Sequence, residues 1–444
     1  MTANSLRRAV SFSLESALVT SNRLKEDVEL SPSVAEFNLY ENLNIPYISG
    51  DITFVDTVNI VNRLRFNGQE KIKLRFYTES KVPLEKEFVI YSLMKQTLPD
   101  HDQAAVYVLG LIEEHGYLSN FIKLSKAFSG NVAKIIEKIC KDELGASITS
   151  DSEPFQDFKF VVPNWSPLKT CMHLASRATT KTGLPFFLYS SLRDGIKFSS
   201  LQDLYAEEEL NSREPFYYTQ VRADVDFQAE KRRIHRFDFV SSDDTIELSK
   251  KGALAARYFS VDPFKRTMEY SDFDVVKHFE KKKKTPNNVL NEFPIYDDEF
   301  TIGPKEKKLH EFPSIFISQI NTSNMFGKTT KGFDEEKILS DHMLKVMNKS
   351  ENAMLRKEGF HVVMPGYVFL EKKENSSIGR IIRLVVPGNL TFISDTSPQE
   401  AFDEKRGSIS ERFLVTQVRH HFRNLDSQYY VSLEISRGDA SKDL

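Results

Sequence analysis

Along the first third of the chain, apolar and polar residues alternate one for one. In EKIKLRFYTE, Ile72, Leu74 and Phe76 fall on one face and Lys71, Lys73 and Arg75 on the other. That is the pattern of a strand with one buried side. The same reading holds from Val34 to Glu79, and EFVIYSL and AAVYVLGLI extend it. Two turns are expected to punctuate these strands. One lies at Gly50 in PYISGD. The other lies at Asn67-Gly68 in LRFNGQE, a dipeptide that tolerates the positive φ of a tight hairpin.

The period changes at GNVAKIIEKICKDELG. Val132, Ile135, Ile136, Ile139 and Cys140 fall at i, i+3, i+4, i+7 and i+8 and form one helical stripe. Asn131 reads as its N-cap and Gly145 as its stop. A second helix opens at Trp165-Ser166-Pro167, with Ser as cap and Pro in the first turn. Leu168, Cys171, Met172, Ala175 and Ala178 line its inner face, and Gly183 ends it. PFFLYSSLRDGIKFSS then reads as a hairpin turning near Asp194-Gly195. Residues 128–205 thus predict a small two-helix α+β module inserted into a β-rich chain.

Strand pattern resumes in PFYYTQVRADVDF and RRIHRFDFVSS and then degrades between Thr245 and Asp334. HFEKKKKTPNN and GPKEKKLHEFP are charge runs ending in loop formers, so 246–334 reads as a loop-rich, partly ordered insertion. EEKILSDHMLKVMNKSENAMLRKEG predicts a helix over 335–358, with Leu339, Met343, Val346, Met347 and Met354 near one stripe. After Gly359 the chain is β to its end. The fold class is therefore α+β and β-rich. It begins with an N-terminal arm over 1–30 and a β unit over 31–127. A second β unit is split between 206–245 and 359–437, and a tail follows over 438–444. No repeat of solenoid period is present.

Composition narrows the function more than the fold. At ~100–200 residues per domain, 444 residues suggest two to four domains. Sixty basic against 63 acidic side chains give a net charge of −3, without the concentrated cationic face that phosphate binding needs. The two cysteines, Cys140 and Cys171, stand in unrelated contexts. They form neither a disulfide framework nor a zinc knuckle and read as free thiols in a reducing compartment. Ser11, Ser13, Glu15 and Ser16 interrupt any signal-peptide core after Arg7-Arg8, and no stretch approaches the ~20 apolar residues of a membrane span. A cytosol-like site of synthesis is expected.

Candidate chemistry is sparse. FGKTTKG at 326–332 ends like a phosphate-binding loop, but Thr322 stands where the motif needs its first glycine. Cys171 and His173 are two apart on a predicted helix and point about 200° apart, so they share no metal. HExxH, CxxC and GxSxG are absent. Single Asp and Glu residues are plentiful, and the sequence singles out no pair for acid/base work. Arg437-Gly438-Asp439 is a chance triplet, and Lys281–Lys284 reads as a solvated loop. In RFLVTQVRHHF, Leu414, Thr416, Val418, His420 and Phe422 share one strand face, while Phe413, Val415, Gln417, Arg419 and His421 share the other. The two imidazoles diverge and read as passengers on a hairpin edge. No catalytic, cofactor-binding or metal-binding residue is assigned. The positions singled out are structural turn candidates: Gly50, Asn67, Gly68, Pro365 and Gly366.

With the last hairpin read, GFHVVMPGYVFLEKKENSSIGRIIRLVVP followed by SERFLVTQVRHHFRNLDSQYYVSLEISRG resembles the second tube domain of baseplate hub proteins of contractile-tailed phages. That tube-domain family is shared with the N-terminal part of type VI secretion spike proteins. Pro365-Gly366, Gly379 to Ile382 and Arg412 to His420 match its recurring phrases in order. IPYISGDITFVDTVNIVNRLRFNGQEKIKLRF looks like the opening of the first tube domain, and 128–205 resembles the family's inserted module. The resemblance covers roughly three-quarters of the chain.

It implies two similar β-barrel-like tube domains per subunit and a homotrimer, hence a pseudo-six-fold ring. Such a ring joins a hexameric tail tube, or its initiator protein, to a trimeric central spike, and leaves a channel through which DNA passes as cargo. Baseplate wedge proteins are further implied partners; no cofactor and no membrane are. An obligate interface of this kind buries ~2,000–5,000 Å². The implied location is the tail baseplate of the virion, with assembly in the host cytoplasm. Residues 246–334 have no counterpart in the family, and NLTFISDTSPQEAFDEKRGS lengthens one loop. No β-helical repeat or muramidase pattern follows the last strands, so spike and peptidoglycan-cutting activity are expected on separate chains. Two other readings stay open: a tail-associated cell-wall hydrolase, and a hub or adaptor of a related contractile injection or type VI secretion machine.

Overall fold

The computed structural model describes residues 10–21, 27–57, 59–64, 66–78, 80–97, 105–155, 157–211, 215–218, 230–242, 245–262, 266–278, 301–320, 347–353, 355, 358–371, 377–387 and 408–437. The FGKTTKG segment at 326–332, rejected as a phosphate-binding loop, the Lys281–Lys284 run, residues 335–346 of the expected helix and the lengthened loop at 389–407 lie outside them. So do the last two residues of the Arg-Gly-Asp triplet. No helix among the described residues is long and apolar enough to cross a membrane.

The chain is β-rich with few helices. Its first seven strands are β1 (Phe12–Thr20), β2 (Val28–Glu29), β3 (Val34–Asn42), β4 (Ile45–Asp56), β5 (Glu70–Thr78), β6 (Leu84–Thr97) and β7 (Ala105–Ile112). The alternation read in β5 is real: Ile72, Leu74 and Phe76 are buried and Lys73 and Arg75 exposed. Three expectations need correction. Residues 1–30 are not simply an arm, because β1 pairs with β5 and buries Phe12, Ala17 and Val19. Gly50 is not a turn but the middle of β4, facing inward. A Cβ there would stand 2.5 Å from the Asn38 carbonyl oxygen on the paired strand β3, which approaches too closely for any side chain. Asn67-Gly68 does not close a hairpin either. A short helix, Ile60–Leu64, precedes it, and β4 and β5 do not pair with each other. Gly68 does take φ +82°, and the Glu70 carboxylate gathers the N–H groups of Asn67, Gly68 and Gln69.

The inserted module holds β8 (Ala127–Asn131), β9 (Ile148–Ser150), β10 (Asp157–Val161), β11 (Phe186–Ser191) and β12 (Gly195–Ser200). Its helices are Val132–Leu144 and Pro167–Ala175, packed on each other over a core of their own. Asn131 caps the first helix by accepting the Ala133 N–H, and Gly145 ends it at φ +62°. The second helix begins where expected, at Pro167, but Ser166 makes no side-chain cap; Ser119 Oγ accepts the Leu168 N–H instead. It also stops earlier than read, at Ala175, and Met172 points outward at 39% exposure. The hairpin at Asp194-Gly195 forms, with Ser191 opposite Gly195.

Next come β13 (Phe216–Tyr218), β14 (Arg233–Ile234) and β15 (Arg236–Ser242). The segment expected to be loop-rich then contains β16 (Ala255–Asp262), β17 (Thr267–Asp274), β18 (Thr301–Ile302), β19 (Lys307–Lys308) and β20 (Ile315–Ile320). β17, β16 and β20 form a three-stranded sheet over a small core of Leu248, Ala253, Leu254, Ala256, Phe273 and Val275. The loop-rich reading is thus corrected for these residues. β16 and β17 pair antiparallel as sequence neighbours, and β20 joins β16 in parallel across a long intervening segment. Residues 347–353, at the end of the expected helix, are helical and bridge two cores: Ser350 Oγ donates to the Ala253 carbonyl and Asn348 Nδ2 to that of Ala178.

The chain closes with β21 (Glu358–Pro365), β22 (Ile381–Pro387), β23 (Ser408–Arg423) and β24 (Gln428–Arg437). Pairing runs β5-β6-β7-β4-β3-β23-β24, all antiparallel, with β1 on the far side of β5. It then returns to its start, because Ser11 bridges Gln428 and Phe12 N donates to the Ser427 carbonyl. A second circuit uses the other half of the same hairpin: β13-β22-β23-β24-β21-β15. β15 continues from β14, which pairs back onto β13. One hairpin, β23–β24, is therefore a wall of both circuits, and one hydrophobic core runs through both.

His235 interrupts β14 and β15. Burial first, then the Arg233 charge, lowers its pKa from 6.5 to about 4. Arg233 donates to Nε2, which only a neutral ring accepts. Between those values the unfolded chain takes up a proton that the folded chain refuses. The contribution is therefore complete above pH 6.5 and is lost as pH falls towards 4. Discounted for a partly exposed ring, the loss is about 1 kcal/mol. His235→Gln should flatten that part of a plot of unfolding midpoint against pH.

Candidate functional site

The hairpin shared by the two circuits carries the buried polar groups that most need an explanation. On β3, Phe37, Leu39 and Glu41 share the inward register; on β23, Val418, His420 and Phe422 do. A carboxylate and an imidazole thus sit where the alternation calls for apolar side chains. Both side chains are fully buried, and His420 Nε2 lies 3.0 Å from Glu41 Oε2. His420 Nδ1 lies 2.8 Å from the Tyr429 hydroxyl on β24. The consistent assignment has Nε2–H donating to Glu41 and the Tyr429 O–H donating to Nδ1. Burial, and then the Glu41 charge, pushes the Tyr429 pKa up, so its proton stays on. The other Glu41 oxygen accepts the Leu192 N–H at 2.6 Å, from the turn after β11.

A second buried carboxylate does similar work. Glu113 follows β7 and accepts the Ile48 N–H at 2.7 Å and the Ser190 hydroxyl at 2.9 Å; Lys86 Nζ lies 3.4 Å from its other oxygen. Two glutamates therefore tie the β11 end of the module to the first circuit, one on each side of that strand's tip. Beside them the Arg193 guanidinium, its pKa lowered by burial, donates to the carbonyls of Leu370 and Pro83. These contacts join the module to both circuits at once.

His420 is therefore no passenger, and β23 is no edge: strands pair with it on both sides. The expected divergence of the histidines holds. His421 faces outward, where Nε2 lies 3.2 Å from Glu36. A bulge between Val415 and Gln417 breaks the simple alternation upstream, and Phe413, Leu414 and Val415 are all buried. On the outer face, Asp51 joins Asn38 Nδ2 and the Tyr40 hydroxyl, each at 2.7 Å. Burial and that hydrogen bond push Tyr40 up to about 12.

Tyrosine, histidine and glutamate in sequence are the groups that activate a nucleophile in some enzymes. Here the terminal hydroxyl is sealed: Tyr429 is at 0% exposure, and its ring stacks on Phe422 at 4.3 Å. No substrate reaches it, so the arrangement holds strands together. Among the described residues, no group of three or more His, Cys, Asp or Glu is placed to hold a metal ion. Sequence reasoning missed Glu41, Glu113 and Tyr429. For Glu41 the signal was a charged residue in apolar register; the glutamates' partners lie on strands the sequence does not pair, and the Tyr429–His420 contact within the last hairpin was not drawn.

Pro365 ends β21, and Gly366 opens the short helical turn Tyr367–Leu370. Gly366 N donates to the Tyr429 carbonyl, and a Cβ at Gly366 would stand 2.2 Å from the Tyr429 ring. Gly366→Ala must displace that ring and the hydroxyl bound to His420. A loss of about 1–3 kcal/mol is expected, read as a lower urea midpoint.

No family model matches the sequence, and no curated protein matches it. Solved structures do. A tail protein from Neisseria meningitidis MC58 aligns over 97% of this chain and 100% of its own, with TM-score 0.51 at 11% identity. The 43 kDa tail protein of prophage MuSo2 from Shewanella oneidensis aligns over 96% and 98%, with TM-score 0.49 at 8% identity. A type VI secretion component of E. coli aligns over 98% and 78%, with TM-score 0.41 at 11% identity. The likeness rests on the first of these, and at such identity it is a likeness of fold. Over nearly its whole length the chain thus shares the fold of that tail protein, in line with the likeness first read from turns and short strand phrases.

Proposed function

We propose that this protein is a structural baseplate hub subunit of a contractile tail. The two strand circuits are its two tube-domain barrels, and three copies make a pseudo-six-fold ring between a hexameric tube and a trimeric spike. The observation that carries the reading is the shared hairpin. Its strands belong to both circuits, which supports two β units held side by side in one chain, as a threefold assembly needs to present six similar units. The fold shared with the Neisseria meningitidis tail protein supports the same reading.

Surface apolar residues support assembly. Tyr91, Leu93 and Met94 are exposed near the end of β6, Phe239 and Val240 on β15, and Met268, Tyr270 and Phe316 on the insertion sheet. Patches of this kind mark surfaces that meet other proteins. The net charge of −3 suits a lumen that passes DNA without holding it. The sealed His420 network supports a stabilising role for its buried polar groups.

Sedimentation of the purified protein, alone and with a spike protein, tests the assembly. The reading expects a species near three times 51.1 kDa in at least one condition. A monomer that still supports tail assembly would count against it. Clearing of a peptidoglycan gel by the purified chain would favour the hydrolase reading instead.

A further inference from the structure

The two cysteines of the chain, remote in sequence, meet in the fold. Cys140 lies in the last turns of the helix Val132–Leu144 and Cys171 in the middle of Pro167–Ala175; their Sγ atoms are 3.9 Å apart. Both are fully buried and belong to the module core with Ile136, Leu174 and Phe198. The helices that carry them pack directly against each other.

We propose that Cys140 and Cys171 are a latent dithiol–disulfide pair, which a small-molecule disulfide such as oxidised glutathione converts into a bond pinning the two module helices together. A disulfide spans about 2.05 Å. The sulfurs must therefore approach by roughly 1.9 Å, a movement the proposal assigns to rotation of the two side chains about Cα–Cβ. The step balances. One protein thiolate attacks the small disulfide, forming a mixed disulfide and releasing one glutathione thiolate. The second protein thiolate attacks the protein sulfur of that mixed disulfide and releases the other glutathione. The protein loses two electrons and two protons, and the oxidant leaves as two thiols.

Burial sets the rate. The Cys140 hydrogen bond and then desolvation hold the Cys171 pKa well above its usual value, so thiolate is scarce while the helices are closed. Oxidation therefore proceeds through a transient parting of the helices, and sub-denaturing urea accelerates it. Once formed, the bond closes the chain from residue 140 to residue 171 and restricts the unfolded module. The module stays seated, because the contacts of Glu41 and Glu113 lie outside that loop. None of this depends on the proposed tail role.

The full-length reduced protein is incubated with oxidised glutathione, with and without sub-denaturing urea, and then digested. The proposal expects a cross-linked peptide joining Cys140 to Cys171, loss of both free thiols, faster reaction in urea and a melting temperature raised by several degrees. Cys171→Ser and Cys140→Ser are each expected to stop at a single mixed disulfide without the thermal gain. Stable glutathione adducts on both cysteines of the wild-type chain overturn the proposal. So does retention of two free thiols under conditions that oxidise the same chain when unfolded.

Discussion

Glu41→Ala is expected to cost about 3–5 kcal/mol, the loss typical when one partner of a fully buried ionisable pair is removed. The substitution leaves His420 Nε2 without its acceptor and strips the Leu192 N–H of a 2.6 Å bond. Unmet hydrogen bonds in a dry interior, rather than lost Coulomb energy, dominate that cost. Glu41→Gln keeps an acceptor oxygen and should lose much less. A Glu41→Leu, His420→Leu pair should recover part of the loss, but not the share owed to Leu192 N and the Tyr429 hydroxyl. Urea unfolding gives the magnitude. Hydrogen exchange gives the location, since the amides of residues 190–193 should lose protection even where global stability is restored by osmolyte.

Phe422→Ala is expected to cost a similar 3–5 kcal/mol by a different route. The Phe422 ring sits among Phe12, Phe37, Phe76 and Tyr429, with centroids 5.2, 4.5, 4.7 and 4.3 Å away. Those partners come from four different strands, so the cavity cannot close without moving several of them. Phe422→Leu keeps most of the volume and should be markedly milder. Exposed Phe121→Ala makes a control, because that side chain is 68% accessible. Comparable losses at both positions, by calorimetry, would remove the claim that the shared hairpin organises the core.

How much of this was legible in the sequence depends on how local the cause is. β5 and the helix Val132–Leu144 were readable because the alternation of one, and the cap and αL stop of the other, each lie within one short local segment. Gly50 was misread because glycine in a turn and glycine close against a paired strand look alike until the Asn38 carbonyl is in place. The pairing of β23 with β3 joins His421 to Asn38 across nearly the whole chain, and no pattern in either strand names the other. The candidate site depends on that pairing. Its histidine was noticed and dismissed, and its glutamate was hidden among 63 acidic residues. The two cysteines failed for the same reason: their neighbourhoods differ in sequence, and only helix packing brings the thiols together.

In the proposed function, two strand circuits held on one hairpin let three chains present six similar units. Electron microscopy of purified particles, formed with the spike protein if necessary, tests this most directly. Class averages should show a hollow ring with threefold symmetry and six comparable lobes around the channel. Particles of a single chain's size under every condition, or rings whose symmetry is not a multiple of three, would contradict it.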